Sequence, residues 1–158
     1  MRPDRAAVRM AHWALLALPL AAGCSGVKPY PNTSEKNAVV HVKTDSASFF
    51  SRRQVDLGVY TVDTSKCTAH YLGNVRLENG PLELALPVGE TVLLTYFFSR
   101  GNSTSAIEMM TPTRKGYRYE FEVSYVENSY GTTGVELAPG QTRGREIEHR
   151  RFRDCVSK

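Results

Sequence analysis

Between Tyr117 and Glu127 the chain reads YRYEFEVSYVE, an alternation that only an extended strand can use. Tyr117, Tyr119, Phe121, Val123 and Tyr125 fall on one face at a period of two, and Arg118, Glu120, Glu122 and Ser124 fall on the other. A helix would scatter the aromatic rings around its circumference, whereas a strand gathers them into one apolar face. The segment therefore predicts an antiparallel strand, half-buried, with an aromatic side turned to a core.

The same period recurs along the chain. AVVHVKT (Ala38 to Thr44) and QVDLGVYTVD (Gln54 to Asp63) alternate, and HYLGNVRLEN does so with a bulge or bend expected at Gly73-Asn74. PLELALPVGETVLLTYFFS reads as two strands, Leu82 to Leu86 and Thr91 to Ser99, joined by a turn at Pro87-Val88-Gly89. AIEMMT is a further short candidate, and REIEHRRFRD (Arg145 to Asp154) reads as a final edge strand or a short helix. SRGNSTSA (Ser99 to Ala106) and ENSYGTTG (Glu127 to Gly134) are rich in turn residues and read as exposed contact loops, the second anchored by Tyr130. The expected fold class is all-β: an antiparallel two-sheet sandwich of about seven to eight strands. A membrane-spanning barrel is the competing architecture, but several of these strands are shorter than the roughly 9–11 residues it requires.

The N-terminus has a different pattern. Arg2, Arg5 and Arg9 precede the apolar run Met10 to Leu20, which is broken only by His12, and small residues lead to Cys24. Eleven helical residues span about 16 Å, short of the roughly 30 Å of a bilayer's hydrocarbon core. The layout is that of a secretory signal. Ala21-Ala22-Gly23-Cys24 resembles the lipobox of bacterial lipoproteins, with Leu20 one position further from the cysteine than the usual pattern has it. The resemblance implies removal of residues 1–23 and attachment of a diacylglycerol to Cys24. Ser25 stands where an inner-membrane retention signal resembling the enterobacterial rule would have Asp, so in a cell with two membranes the expected location is the outer membrane, facing the periplasm.

Removing residues 1–23 also takes away Asp4, so the chain's 20 Lys and Arg and 16 Asp and Glu fall to 17 and 15. The mature domain is nearly neutral, and nucleic acid is not an expected partner. Of the three cysteines, Cys67 and Cys155 would remain as a pair. In an oxidising compartment a disulfide is expected, closing a loop worth roughly 4–5 kcal/mol on the chain-entropy model. The alternatives are a redox pair or a metal site. Cys67 and His70 form a C-x-x-H, but zinc needs four ligands and no second cluster of suitable spacing accompanies it. Neither a metal nor a cofactor is expected.

The expected organisation is a signal peptide over residues 1–23, an acylated cysteine and tether over 24–37, and one β-sandwich domain over 38–158. SGVKPYPNTSEKN (Ser25 to Asn37) lacks an apolar period and would reach about 43–47 Å if extended; the alternative is that Tyr30 and the prolines pack on the domain. Tyr71-Leu72-Gly73, Leu84 to Gly89, Thr91 to Phe98 and Gly116-Tyr117-Arg118-Tyr119 occur in the order found in small lipoproteins with PEGA-like or transthyretin-like β-sandwiches. The resemblance covers roughly Ala38 to Glu127 and carries no catalytic residues over.

His41, His70 and His149 each stand alone, and no nucleophile elbow is present. Glu120 and Glu122 share a strand face about 7 Å apart, the spacing of solvated carboxylates or of a pair over a glycosidic bond. Arg143, Arg145, Arg150, Arg151 and Arg153 crowd the C-terminal segment. They are read either as charge protecting a sheet edge or as forks for an anionic envelope component or an envelope protein. The expected function is a lipid-anchored, non-enzymatic binding or structural component of the cell envelope. The alternative is an envelope hydrolase or inhibitor with a dispersed site drawing on His70, Glu120 or Glu122.

Overall fold

A computed structural model describes residues 27–44, 53–78, 80–126 and 129–156. The segment expected to be a signal peptide, residues 1–23, and Cys24 lie outside them. Nine strands form two sheets among the described residues. They are β1 (Ala38–Thr44), β2 (Gln54–Asp63), β3 (Thr68–Leu77), β4 (Leu82–Leu84), β5 (Thr91–Arg100), β6 (Ser103–Pro112), β7 (Arg118–Val126), β8 (Ser129–Leu137) and β9 (Arg145–Glu146). One sheet has the order β4-β1-β7-β8-β9, the other β3-β2-β5-β6. All pairs are antiparallel except β1 with β7, which run parallel in the middle of the five-stranded sheet. The sandwich expected from the alternation is the fold, as two sheets with edges rather than a closed barrel.

The core lies where the two inner faces meet. Val55, Leu57 and Val59 of β2, with Leu94, Tyr96 and Phe98 of β5, pack against Val40 of β1 and Tyr119, Phe121 and Val123 of β7. Each such side chain taken fully out of water contributes about 1.5–3 kcal/mol. The aromatic alternation of β7 thus supplies much of one wall. On the outer face of the four-stranded sheet, Val62, Leu93 and Met110 form a second, smaller cluster joined by Tyr60 and Phe152.

Two expected loops are strands. Residues 99–106 are mostly hairpin, since Arg100 already pairs with Ser103 and Gly101 takes the turn at φ 56°. The segment 127–134 belongs from Ser129 onward to β8, which pairs along all of β7 from Val126↔Ser129 to Arg118↔Leu137. Gly131 and Gly134 masked its strand character, yet Gly134 is small for a packing reason. A methyl group there would come within 3.0 Å of Phe121 and 3.1 Å of Met109. The bend expected at Gly73-Asn74 is a bulge: β3 slips against β2 between Val59↔Gly73 and Tyr60↔Tyr71, leaving Leu72 as the extra residue.

The chain's two ends close the two open sides of the sandwich. Residues 27–37, expected as the tether, are docked, which corrects that expectation. Tyr30 N–H donates to Asn74 O at 2.9 Å and Asn74 N–H to Lys28 O at 2.8 Å, so the segment pairs with the free edge of β3. Tyr30 is buried and its hydroxyl donates to Ala85 O at 2.6 Å, beyond the end of β4. Burying an aromatic ring outweighs the entropy of a loose chain. At the other side the final edge strand is only the two residues of β9. Beyond it Ile147 N–H donates to Gly134 O and Met110 N–H to Arg150 O, both at 2.8 Å, carrying the segment from β8 across to β6. It continues over the outer cluster through Phe152 into a short helix, α1 (Arg153–Val156). Cys155 is there bonded to Cys67, in the β2–β3 turn, with Cα atoms 5.6 Å apart.

Tyr96 is fully buried in the core, and its hydroxyl has Thr132 Oγ1 as a neighbour, but neither oxygen makes a well-formed hydrogen bond among the described residues. Burial pushes the Tyr96 hydroxyl well above the ordinary value of 10.0. Tyr96→Phe is therefore expected to be neutral or stabilising by about 1 kcal/mol at pH 8. Above pH 10 the unfolded chain ionises at this position while the folded one stays neutral. Stability contributed below pH 10 is then lost at up to about 1.4 kcal/mol per pH unit per buried tyrosine. Urea unfolding at pH 8 and pH 11 should find a shallower alkaline loss in Tyr96→Phe, and a variant much weaker at pH 8 would show that the hydroxyl is paired.

Candidate functional site

A cleft of about 1040 Å³ opens at the basal end of the sandwich, where β1, β5 and β7 begin. Two asparagines, Asn37 in its lining and Asn32 beside it, act as pieces of strand. Asn32 donates from Nδ2 to Glu83 O and accepts from Ala85 N–H, both at 2.8 Å. Asn37 donates to Leu86 O at 2.9 Å and accepts from Leu86 N–H at 2.8 Å. A side-chain amide carries both a donor and an acceptor, so each satisfies backbone that β4 leaves behind as it ends. Thr113 holds the next turn, its hydroxyl donating to Pro87 O and its N–H to Glu90 O at 2.8 Å. Val88 at the tip of that turn is left 52% exposed.

The rim is cationic. Lys28, Lys36, Lys115 and Arg118 line the cleft, opposed by Glu35. None of the four is held in an ion pair with a described carboxylate. Sequence reasoning missed this group because its members stand at positions 28, 36, 115 and 118, no two of them adjacent. The turn after β6, with Gly116 at φ 78°, brings the last two beside the docked N-terminal segment.

The five arginines of the C-terminal segment have different fates. Arg145 is committed internally: its Nε donates to Glu136 Oε1 at 2.8 Å and its Nη2 also reaches that oxygen. Glu136 is 7% exposed, with Arg114 Nη1 3.7 Å from the same oxygen. Arg145 and Arg150 line a second groove, of about 320 Å³, where Arg114 joins them and Glu136, Glu146 and Glu148 balance the charge. Arg143, Arg151 and Arg153 are exposed and lie outside that lining. Asp154 accepts from Arg151 N–H at 2.7 Å. The expected arginine surface for an anion is thus not one patch, because a buried carboxylate takes one fork and the strap spreads the others. Arg145→Ala is expected to cost about 1–2 kcal/mol by leaving the buried Glu136 with only the 3.7 Å Arg114 contact, and Arg143→Ala less than about 0.5 kcal/mol; urea unfolding of the two variants checks the contrast.

Tyr130, expected as a loop anchor, is half-buried in β8 instead. Its ring lies 4.2 Å from Phe98 and 4.9 Å from Tyr125, and Arg53 donates to both tyrosine hydroxyls while stacking over the Tyr125 ring. This cluster closes the apical end. His70 is exposed on β3, whereas Glu120 and Glu122 stand on β7 in the other sheet, Glu122 facing Lys43 at 3.8 Å. The structure does not bring these three together in either cleft. His41 and His149 are exposed as well. Among the described residues no group of three His, Cys, Asp or Glu is arranged to hold a metal ion. No protein-family model matches the chain, and no curated protein is significantly similar to it.

Proposed function

We propose that this chain is a lipid-anchored component of the cell envelope, a non-enzymatic binding or structural lipoprotein held through a diacylglycerol on Cys24. The observation that carries this reading is the Cys67–Cys155 bond. It fits an oxidising compartment, and it accounts for two of the three cysteines, leaving the third directly behind the basic head, apolar run and small residues of the N-terminus. With Ser25 after the cysteine, the reading places the protein in the outer membrane on the periplasmic side. The resemblance to small PEGA-like or transthyretin-like lipoproteins agrees with a sandwich built to present a surface.

The docked N-terminal segment gives the reading a geometric consequence. Lys28 is already part of the domain, so the linkage to Cys24 spans at most about 14 Å instead of the length available to a free tether ending at Asn37. The domain is held close to the bilayer. Metabolic labelling with a radioactive fatty acid tests the anchor. Wild-type protein should take the label, begin at Cys24 and fractionate with the outer membrane, and Cys24→Ser should abolish labelling. A mature protein that starts elsewhere and carries no lipid would overturn the proposal.

A further inference from the structure

The geometry points to the basal cleft as the face on which the domain rests against anionic phospholipid, with Lys28, Lys36, Lys115 and Arg118 meeting headgroup phosphates and Val88 reaching among them. This inference rests on the lipid-anchored reading. Three observations converge on it. The four cations are gathered at one end from separate segments and are not consumed by described carboxylates. The cleft includes Lys28, four residues after Cys24, so a membrane holding that cysteine lies within about 14 Å of the cleft. Two of the exposed large apolar side chains, Val27 and Val88, stand beside Lys28 and on the cleft rim respectively.

Charge elsewhere favours the same orientation. On the outer face of the five-stranded sheet Val39 pairs with both Glu83 and Glu120, and Val135 pairs with both Glu120 and Glu146, which sets three carboxylates in one row. A negative surface repels that face, while each Lys or Arg at headgroup range adds about fivefold to partitioning. Screening over about 8 Å at physiological salt confines the effect to groups at the contact. The site is built before any lipid arrives, because Asn32, Asn37 and Thr113 fix the three backbone segments that present the cations.

Every described element lies between residues 38 and 156, so an exported chain beginning at position 24 with Cys24→Ser keeps all of them and lacks the anchor. Sedimentation with vesicles of phosphatidylcholine, with and without phosphatidylglycerol, is the test. Binding is expected only to vesicles containing phosphatidylglycerol, falling as salt rises. Lys115→Glu with Arg118→Glu should lower it by about twentyfold or more, whereas Lys43→Glu with Arg100→Glu, distant from the cleft, should leave it within about twofold. Equal loss in both double variants, or no preference for phosphatidylglycerol, overturns the inference. Competition by millimolar inorganic phosphate at constant ionic strength does so too, reassigning the cleft to a small free anion. Because the vesicles are read on the unacylated chain, failure here is distinguishable from failure of acylation at Cys24.

Discussion

Cys67→Ser or Cys155→Ser is expected to lower stability by about 4–5 kcal/mol, close to the full chain-entropy value for a loop closed across 88 residues of separation. A domain of this size holds about 5–15 kcal/mol in total, so the loss is about a quarter of it or more, and a midpoint drop of roughly 10–15 °C should follow. The bond also positions what precedes it. Phe152 covers Tyr60, Val62, Leu93 and Met110 on the outer sheet face, and its N–H donates to Glu108 Oε2 at 3.1 Å. Once the helix α1 is released, that small apolar cluster faces water and the strap from Arg150 onward becomes open to protease. The double serine variant should match the singles, because no new partner is created, and wild-type protein under reductant should match all three. Thiol titration of the mature oxidised protein should find neither cysteine reactive. A double variant as stable as wild type would show that the segment docks by packing alone.

Gly73→Ala is expected to cost about 3 kcal/mol and to detach the N-terminal segment. Gly73 sits in the bulge of β3 at φ 155°, and a Cβ there would lie 2.6 Å from both the nitrogen and Cα of Tyr30. The obstacle is backbone, which has no rotamer to yield. Either the bulge or the docked segment must move, and the segment is held by less. Its loss exposes Tyr30, worth about 2 kcal/mol of burial, and gives up the Tyr30 and Asn32 hydrogen bonds to the chain beyond β4, each worth about 1 kcal/mol. Gly131→Ala is the control: its Cβ would meet only Ser124 Oγ, at 2.7 Å, and a hydroxyl can rotate away. Amide exchange should show Tyr30 and Asn74 deprotected in Gly73→Ala and unchanged in Gly131→Ala. Protection retained at Tyr30 would refute the clasp. If the proposed anchor at Cys24 holds, the same substitution would also lengthen the linkage behind it by several residues and let the basal cleft drift from the bilayer.

How far the fold was legible from residues follows from which interactions are local. Period-two alternation marks a strand wherever one face is apolar and the other wet, and β1, β2, β5 and β7 were readable on that ground. β8 was not, because Gly131 and Gly134 leave gaps in the alternation, and the reason for Gly134 is Phe121 and Met109 from other strands. With Cys24 read as the acylated residue, the two remaining cysteines pointed to a bond by count. The cleft had no such signature.

By itself the sequence determined the class of fold and the strands of the core and, with Cys24 read as acylated, pointed to the pairing of Cys67 with Cys155, since each rests on a period or a count. Only the tertiary structure decided that residues 28–32 clasp β3 to the end of β4, that Arg145 serves Glu136, and that Lys28, Lys36, Lys115 and Arg118 share one rim. Those facts depend on which edges face each other across the sandwich. Sheet order is set by long-range packing of one inner face on another, and no stretch of chain carries that information alone.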